Sequence, residues 1–164
     1  MRPKLVGREK MSVNLQLKRL LVAIDASPNA ARAAIAAIAL AEKFNAELIV
    51  LHAVPIPSYT FAQAEVGSVA PSMFREYYEA AQKEGKTAVD EVVRSAEAKN
   101  VKATGIILGP AVSIVETIID HAAKNNVDLI VVGTRGRTGF KKLLLGSVST
   151  GILSHADCSV LVVR

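Results

Sequence analysis

The sequence predicts an α/β fold, a parallel sheet with helices on both faces. Three observations point there. Apolar runs of strand length alternate with segments of helical spacing, in the order β-α-β-α-β-α-β-α-β. The runs are nearly continuous, as in ELIVLHAV (47–54) and VDLIVV (127–132), which is the pattern of strands covered on both sides. Aromatic residues make up only 4% of the 164-residue chain and Trp is absent, so the core is built from Ala, Val, Ile and Leu. Parallel neighbours need right-handed crossovers, and these lay helices over the sheet.

The first strand is read over Leu20–Ile24, and Asp25 ends it. Ser27-Pro28 then supplies an N-cap followed by proline in the first turn, where its missing N–H costs nothing. The Ala-rich stretch to about Phe44 is the first helix, with side chains small enough to lie close to a sheet. Glu47–Val54 is the second strand, stopped by Pro55-Ile56-Pro57. A long loop to about Pro71 follows, expected to order over a ligand, since loops of that length are uncommon unless functional. Residues 72–99 form one long helix whose charged pattern reads as a solvated face. Lys102–Leu108 is the third strand, broken by Gly109-Pro110. Ser113 and Glu116 match a capping box, and the helix behind them ends at Asn125-Asn126. Val127–Val132 is the fourth strand, Ser147 to about His155 a short helix, and Ser159–Val163 the last strand.

The length suits one domain, and 51% apolar against 21% charged residues is a globular composition. The net charge of +5 is confined to the start. Six basic residues up to Arg19 face Glu9 alone, and from residue 20 onward basic and acidic residues balance. Residues 1–17 are therefore read as a disordered basic leader to a single domain over 18–164, with no nucleic acid as partner. Lys18 and Arg19 interrupt any signal-like apolar region, and the longest apolar run, Ala33–Ala41, is too short to span a bilayer. A cytoplasmic protein with no membrane partner is expected. The single Cys158 excludes an internal disulfide and reads as a packed thiol.

The chemistry concentrates in GTRGRTGFKKLLLGS (133–147), at the carboxyl end of the fourth strand. Ligands of open α/β sheets bind beyond those ends, where the winding reverses. Glycines leave backbone N–H groups uncovered, and a helix starting at Gly146-Ser147 adds unpartnered N–H groups and a dipole that favours an anion. Arg135, Arg137, Lys141 and Lys142 add positive charge. Two readings stand at this point, a phosphate cradle and an ordinary loop with a Ser cap. The spacing is neither a GxxxxGK[ST] phosphate loop nor a GxGxxG dinucleotide fingerprint.

Gly133-x2-Gly136-x9-Gly146-Ser147 resembles the nucleotide signature G-x2-G-x9-G-[ST] of the universal stress protein family. LVAIDAS (21–27), LHAV (51–54), GSVS (146–149) and HADCSVLVV (155–163) are also similar to family sequence, so the resemblance runs from about Lys18 to Arg164. It implies a Rossmann-like sheet of order 3-2-1-4-5, of the adenine nucleotide alpha hydrolase-like type, with strands one and four side by side at the switch point. It also implies a nucleotide site. Ala23 and Asp25 would lie beside the adenosine, Ala53 near the base, and Val132 and Gly133 at the ribose and α-phosphate. Gly136, Gly146, Ser147, Val148 and Ser149 would meet phosphates, joined by Arg135. Ala23 stands where some nucleotide-binding members have proline. The implied ligand is ATP or another adenine nucleotide with Mg²⁺. The implied role is regulation in a stress response, through nucleotide-dependent conformation and docking of a protein partner.

No catalytic residue is assigned. Asp25 has no matching histidine or nucleophile, His52, His121 and His155 are not spaced as a metal set, and the SGGxDS and HIGH signatures of related enzymes are absent. His52 is read as a satisfied core histidine and His121 as facing water. Slow ATP hydrolysis and a nucleotide-independent interaction protein remain as alternatives. The apolar SVLVV at the chain's end is an edge in the family's strand order, with no tail after Arg164 to cover it, so a homodimer through that strand is expected.

Overall fold

A computed structural model describes residues 16–57, 71–134 and 145–164. The basic leader up to residue 15, the loop 58–70 and most of the glycine segment, 135–144, lie outside the described residues. The strands are β1 (Arg19–Ala23), β2 (Glu47–Pro55), β3 (Ala103–Ala111), β4 (Leu129–Gly133) and β5 (Ser159–Val163). The helices are α1 (Pro28–Phe44), α2 (Pro71–Glu97), α3 (Ile114–Lys124) and α4 (Ser147–His155). All strand pairs are parallel, as the apolar runs predict, and their order is β3-β2-β1-β4-β5, as the family resemblance implies.

Because side chains alternate across a strand, the sheet feeds two apolar layers. Leu20, Val22, Leu48, Val50 and Val131 pack under α1 and α2, with Ala33, Ala37, Ala41 and Val89 from those helices. Leu21, Ile49, Leu51, Ile130 and Val132 pack under α3 and α4, with Ile118, Ala122 and Ile152. The helices change faces where the winding turns from β3 back to β4, so β1 and β4 are the central pair. Leu17 is already part of the first layer.

The caps follow their chemistry. Ser27 Oγ accepts from Ala30 N at 3.2 Å and Ser113 Oγ from Glu116 N at 3.2 Å. At the amino ends of the strands Arg19 donates to Glu47 and to the Asn125 carbonyl, Lys102 donates to Glu47, and the Lys18 and Arg19 amides both bind Asp128. The Lys102 and Arg19 side chains hold the Glu47 carboxyl below its usual range. These contacts tie the strands together at the end opposite the candidate site.

Three sequence expectations need correction. β3 does not stop at Leu108. It runs through Gly109-Pro110 to Ala111, because Gly109 takes a φ of +143°, open only to glycine here, and a bulge between Ala53 and Pro55 resets the register. An edge strand tolerates proline at such a place. β1 and β4 are each shifted by one or two residues from the expected bounds. His121 is half-buried, and burial lowers its pKa.

His52 is the satisfied core histidine. It is 7% exposed, and Nδ1 lies 2.9 Å from the Ile24 carbonyl, which only accepts, so Nδ1 carries the proton. Gly85 of α2 sits directly on this ring: a Cβ there would lie 2.2 Å from His52 Cδ2. Gly85→Ala gains about 1 kcal/mol of helix propensity but overpacks a buried ring, at a cost of about 1–3 kcal/mol. The net loss is up to about 2 kcal/mol, so a melting-point decrease of up to about 8 °C is expected by calorimetry, and a raised melting point would contradict the close approach.

Candidate functional site

A cavity of about 320 Å³ opens at the carboxyl ends of the central strands. That size is at the lower end of small-molecule sites. Its floor is the split between β1 and β4, which places Ala23 and Asp25 opposite Val132 and Gly133. Asp25 Oδ1 accepts from Ser27 N at 3.1 Å, across Ala26, whose φ is +60°. This turn leads straight into the cap of α1. Gly133 has no room for a side chain, since a Cβ would lie 2.8 Å from the Asn29 backbone. The start of α1 is thus pressed against the end of β4.

The far wall is the start of α4. Gly146 is its N-cap, with φ −77° and ψ 165° and no side-chain cap bond. Ser147, Val148 and Ser149 are its first three residues and line the cavity. Their N–H groups have no acceptor within the helix, and the first turn carries no acidic residue. The loop ends are latched: Thr134 N donates to the Val163 carbonyl at 2.8 Å, and Gly146 N to the Thr134 carbonyl at 2.7 Å. Ser149, 3% exposed, holds the same junction through its hydroxyl, 3.2 Å from the Thr134 carbonyl and 3.0 Å from that of Gly146. The arrangement offers an anion fixed N–H donors on one side and a carboxylate across the cleft.

Nine of the eleven residues assigned from sequence meet in this cavity: Ala23, Asp25 and Ala53, Val132 and Gly133, and Gly146 to Ser149. Arg135 and Gly136 lie outside the described residues, as do Arg137, Lys141 and Lys142. Two roles change. Ser147 is the first helical residue and not the cap, so Ser147→Ala removes no cap bond. The Ser149 hydroxyl already serves two backbone carbonyls, so its proton is a latch rather than a free donor.

Sequence reasoning missed the wall from the long helix, where Tyr77 and Ala81 of α2 line the cavity beside Ala53 and Pro55. It also missed Ile114 and Ile118 of α3. Only the helical period, read together with the sheet order, puts those faces toward the cleft. His52 lines the same cavity, with its ring held by Ile24. Among the described residues no cluster of three metal-ligating side chains exists. Cys158 lies away from the cavity, and burial pushes its thiol pKa up, consistent with a packed thiol. No helix among the described residues is long and apolar enough to cross a membrane.

The family model described as "Universal stress protein family" matches residues 16–164. A universal stress protein of Methanocaldococcus jannaschii is 36% identical over 149 residues, covering 90% of this chain and 82% of the relative. The solved structure of UspA from Lactobacillus plantarum superposes with a TM-score of 0.74 at 27% identity, covering 92% of this chain and all of that one. Two further solved relatives carry the same fold in complexes. One is a universal stress protein with cAMP, with TM-score 0.62, 24% identity and 91% and 98% coverage. The other, from Archaeoglobus fulgidus, is with dAMP, with TM-score 0.64, 18% identity and 92% and 100% coverage.

Proposed function

The chain belongs to the universal stress protein family, and on that premise we propose that it is an adenine-nucleotide-binding regulatory protein. The observation that carries the proposal is the convergence of β1, β4 and the start of α4 on one cleft, whose lining holds both Asp25 and N–H groups that have no acceptor within their helix. The complexes of related proteins with cAMP and dAMP support the adenine class.

ATP with Mg²⁺ is the form proposed. Its phosphates would lie against the N–H groups of Ser147, Val148 and Ser149, joined by Gly136 and Arg135. Its ribose would lie near Val132 and Gly133, and its base toward Ala53. Asp25 would take a ribose hydroxyl or a water of the cation, since one carboxylate is too little for a metal site of its own. The regulatory output would be a nucleotide-dependent conformation, read in the cytoplasm by a protein partner.

The test is ligand-induced melting with ATP, AMP and cyclic AMP, together with acid extraction of the purified protein for bound nucleotide. At a hundredfold excess over Kd the melting point should rise by about 5–10 °C. No stabilisation by any adenine nucleotide ends this reading. Single-turnover assays separate binding from hydrolysis: rapid turnover abolished by Asp25→Asn would make the protein an enzyme.

A further inference from the structure

Tyr77, Ala81 and Gly85 of α2 are spaced four apart; the first two line the cavity, and Gly85 lies on the His52 ring. On a helix such residues form one stripe. Their sizes rise steadily away from the sheet. Gly85 lets the helix touch the His52 ring, with a would-be Cβ 2.2 Å from Cδ2. Ala81, one turn toward the amino end, lines the cavity without filling it, and Tyr77, a further turn on, brings an aromatic side chain to the wall. The anchor is rigid, because His52 is buried and bound to the Ile24 carbonyl at 2.9 Å. The stripe therefore holds the Tyr77 wall at a fixed distance from the sheet, beside Ala53 and Pro55.

Two other aromatics lie on the same helix. Phe74 and Tyr78 stack on each other with ring centroids 6.2 Å apart, and Tyr78 accepts a bond from Gln82 Nε2 at 3.1 Å. Apart from His52, Tyr77 is the one aromatic side chain lining the cavity among the described residues. The cleft then has two unlike ends. The α4 end offers backbone N–H groups, suited to phosphate. The α2 end offers Tyr77, Ala81 and Pro55, suited to a flat, largely apolar group.

We propose that Tyr77 is the base-recognition residue of the site, its ring packing on the purine, and that the Tyr77–Ala81–Gly85 stripe sets the gap that the purine enters. This rests on the nucleotide reading above and adds the residue that selects for a base. Aromatic packing on a base is tolerant of base identity, so this contact selects for a flat ring and not for one base over another.

The test uses the full chain with ATP and with ribose 5-phosphate, which carries phosphate and no base. Tyr77→Ala should weaken ATP binding about tenfold or more in calorimetry while ribose 5-phosphate binding is unchanged. Tyr77→Phe should bind ATP within about threefold of the parent, since the ring is kept. Trp is absent from the chain, so tyrosine dominates the emission. ATP should quench it in the parent, and the quench should be largely lost in Tyr77→Phe; a merely structural role would not move this signal. Ala81→Leu, which narrows the gap while keeping the Tyr77 ring, should also weaken ATP and spare ribose 5-phosphate. If the parent binds ATP and Tyr77→Ala binds it equally well, the base assignment is wrong while the nucleotide reading stands. If the parent binds no adenine nucleotide, both fall.

Discussion

Gly146→Val is expected to abolish most nucleotide binding while leaving the fold intact. Gly146 is the N-cap of α4, and its φ of −77° is open to any L-residue, so valine brings no left-handed strain. An N-cap side chain naturally lies over the N–H groups of the second and third helical residues, which is how serine and aspartate cap helices. Here those residues are Val148 and Ser149, the donors proposed for phosphate. Valine methyls over them exclude an anion and return nothing. Losing two charge-assisted contacts of about 1.5–3 kcal/mol each lowers affinity about 100-fold or more. Valine is a poorer cap than glycine by about 1 kcal/mol or less, a melting decrease of about 2–4 °C. Gly146→Ser separates the two effects further. A serine hydroxyl caps the helix from within, so stability should rise slightly while the same hydroxyl competes with phosphate and binding falls. The measurements are calorimetric titration with ATP and thermal melting of all three proteins. If Gly146→Val binds ATP as the parent does, the cradle is misplaced.

The parts legible in sequence were those fixed by local chemistry or by simple periodicity. Ser27-Pro28 and Ser113 mark helix starts because a hydroxyl satisfies an orphan amide, and both caps are made in the fold. Apolar runs such as Leu48 to Leu51 mark buried strands because both faces of the sheet are covered. Gly109-Pro110 misled because glycine and proline usually end a strand, and only the pairing of Pro55 with Ala111 on an edge keeps this one going. Residues 72–99 misled in another way. Charge along a helix shows that one face meets water, but not that the carboxyl end of β2 lies under another face, so Tyr77 and Ala81 were unread as cavity residues. The stripe exists only once β2, α2 and the His52 ring are placed together. The Ser149 latch is similar: its partner Thr134 is far in sequence, and nothing local announces it.

The second large effect is expected at β5, which pairs with β4 alone and is an edge of the sheet. Its residues Val160 to Val163 are apolar yet only partly buried, which leaves an apolar ladder open to another chain. A second copy about a two-fold axis closes that edge and limits growth, so a homodimer through β5 is proposed. The direction of the backbone makes the test sharp. The Val163 carbonyl accepts from Thr134 N, on the β4 side. N–H and C=O groups of one residue point the same way in a strand and alternate from residue to residue. Leu161 therefore also faces β4, and the N–H of Val162 faces the open edge. Val162→Pro deletes an outward donor and leaves the β4 ladder whole, which an edge strand tolerates. Two-fold symmetry applies the loss twice, and each orphaned acceptor costs about 1–2 kcal/mol, so the dimer should weaken about 30-fold to 1000-fold. Leu161→Pro is the control. It deletes a donor to β4 and should lower the melting point sharply in dimer and monomer alike. Sedimentation velocity over a range of concentrations should show a dimer for the parent and a folded monomer for Val162→Pro. A parent that sediments as a monomer at high concentration, with or without ATP, removes the dimer, and a Val162→Pro protein that remains dimeric moves the interface away from β5.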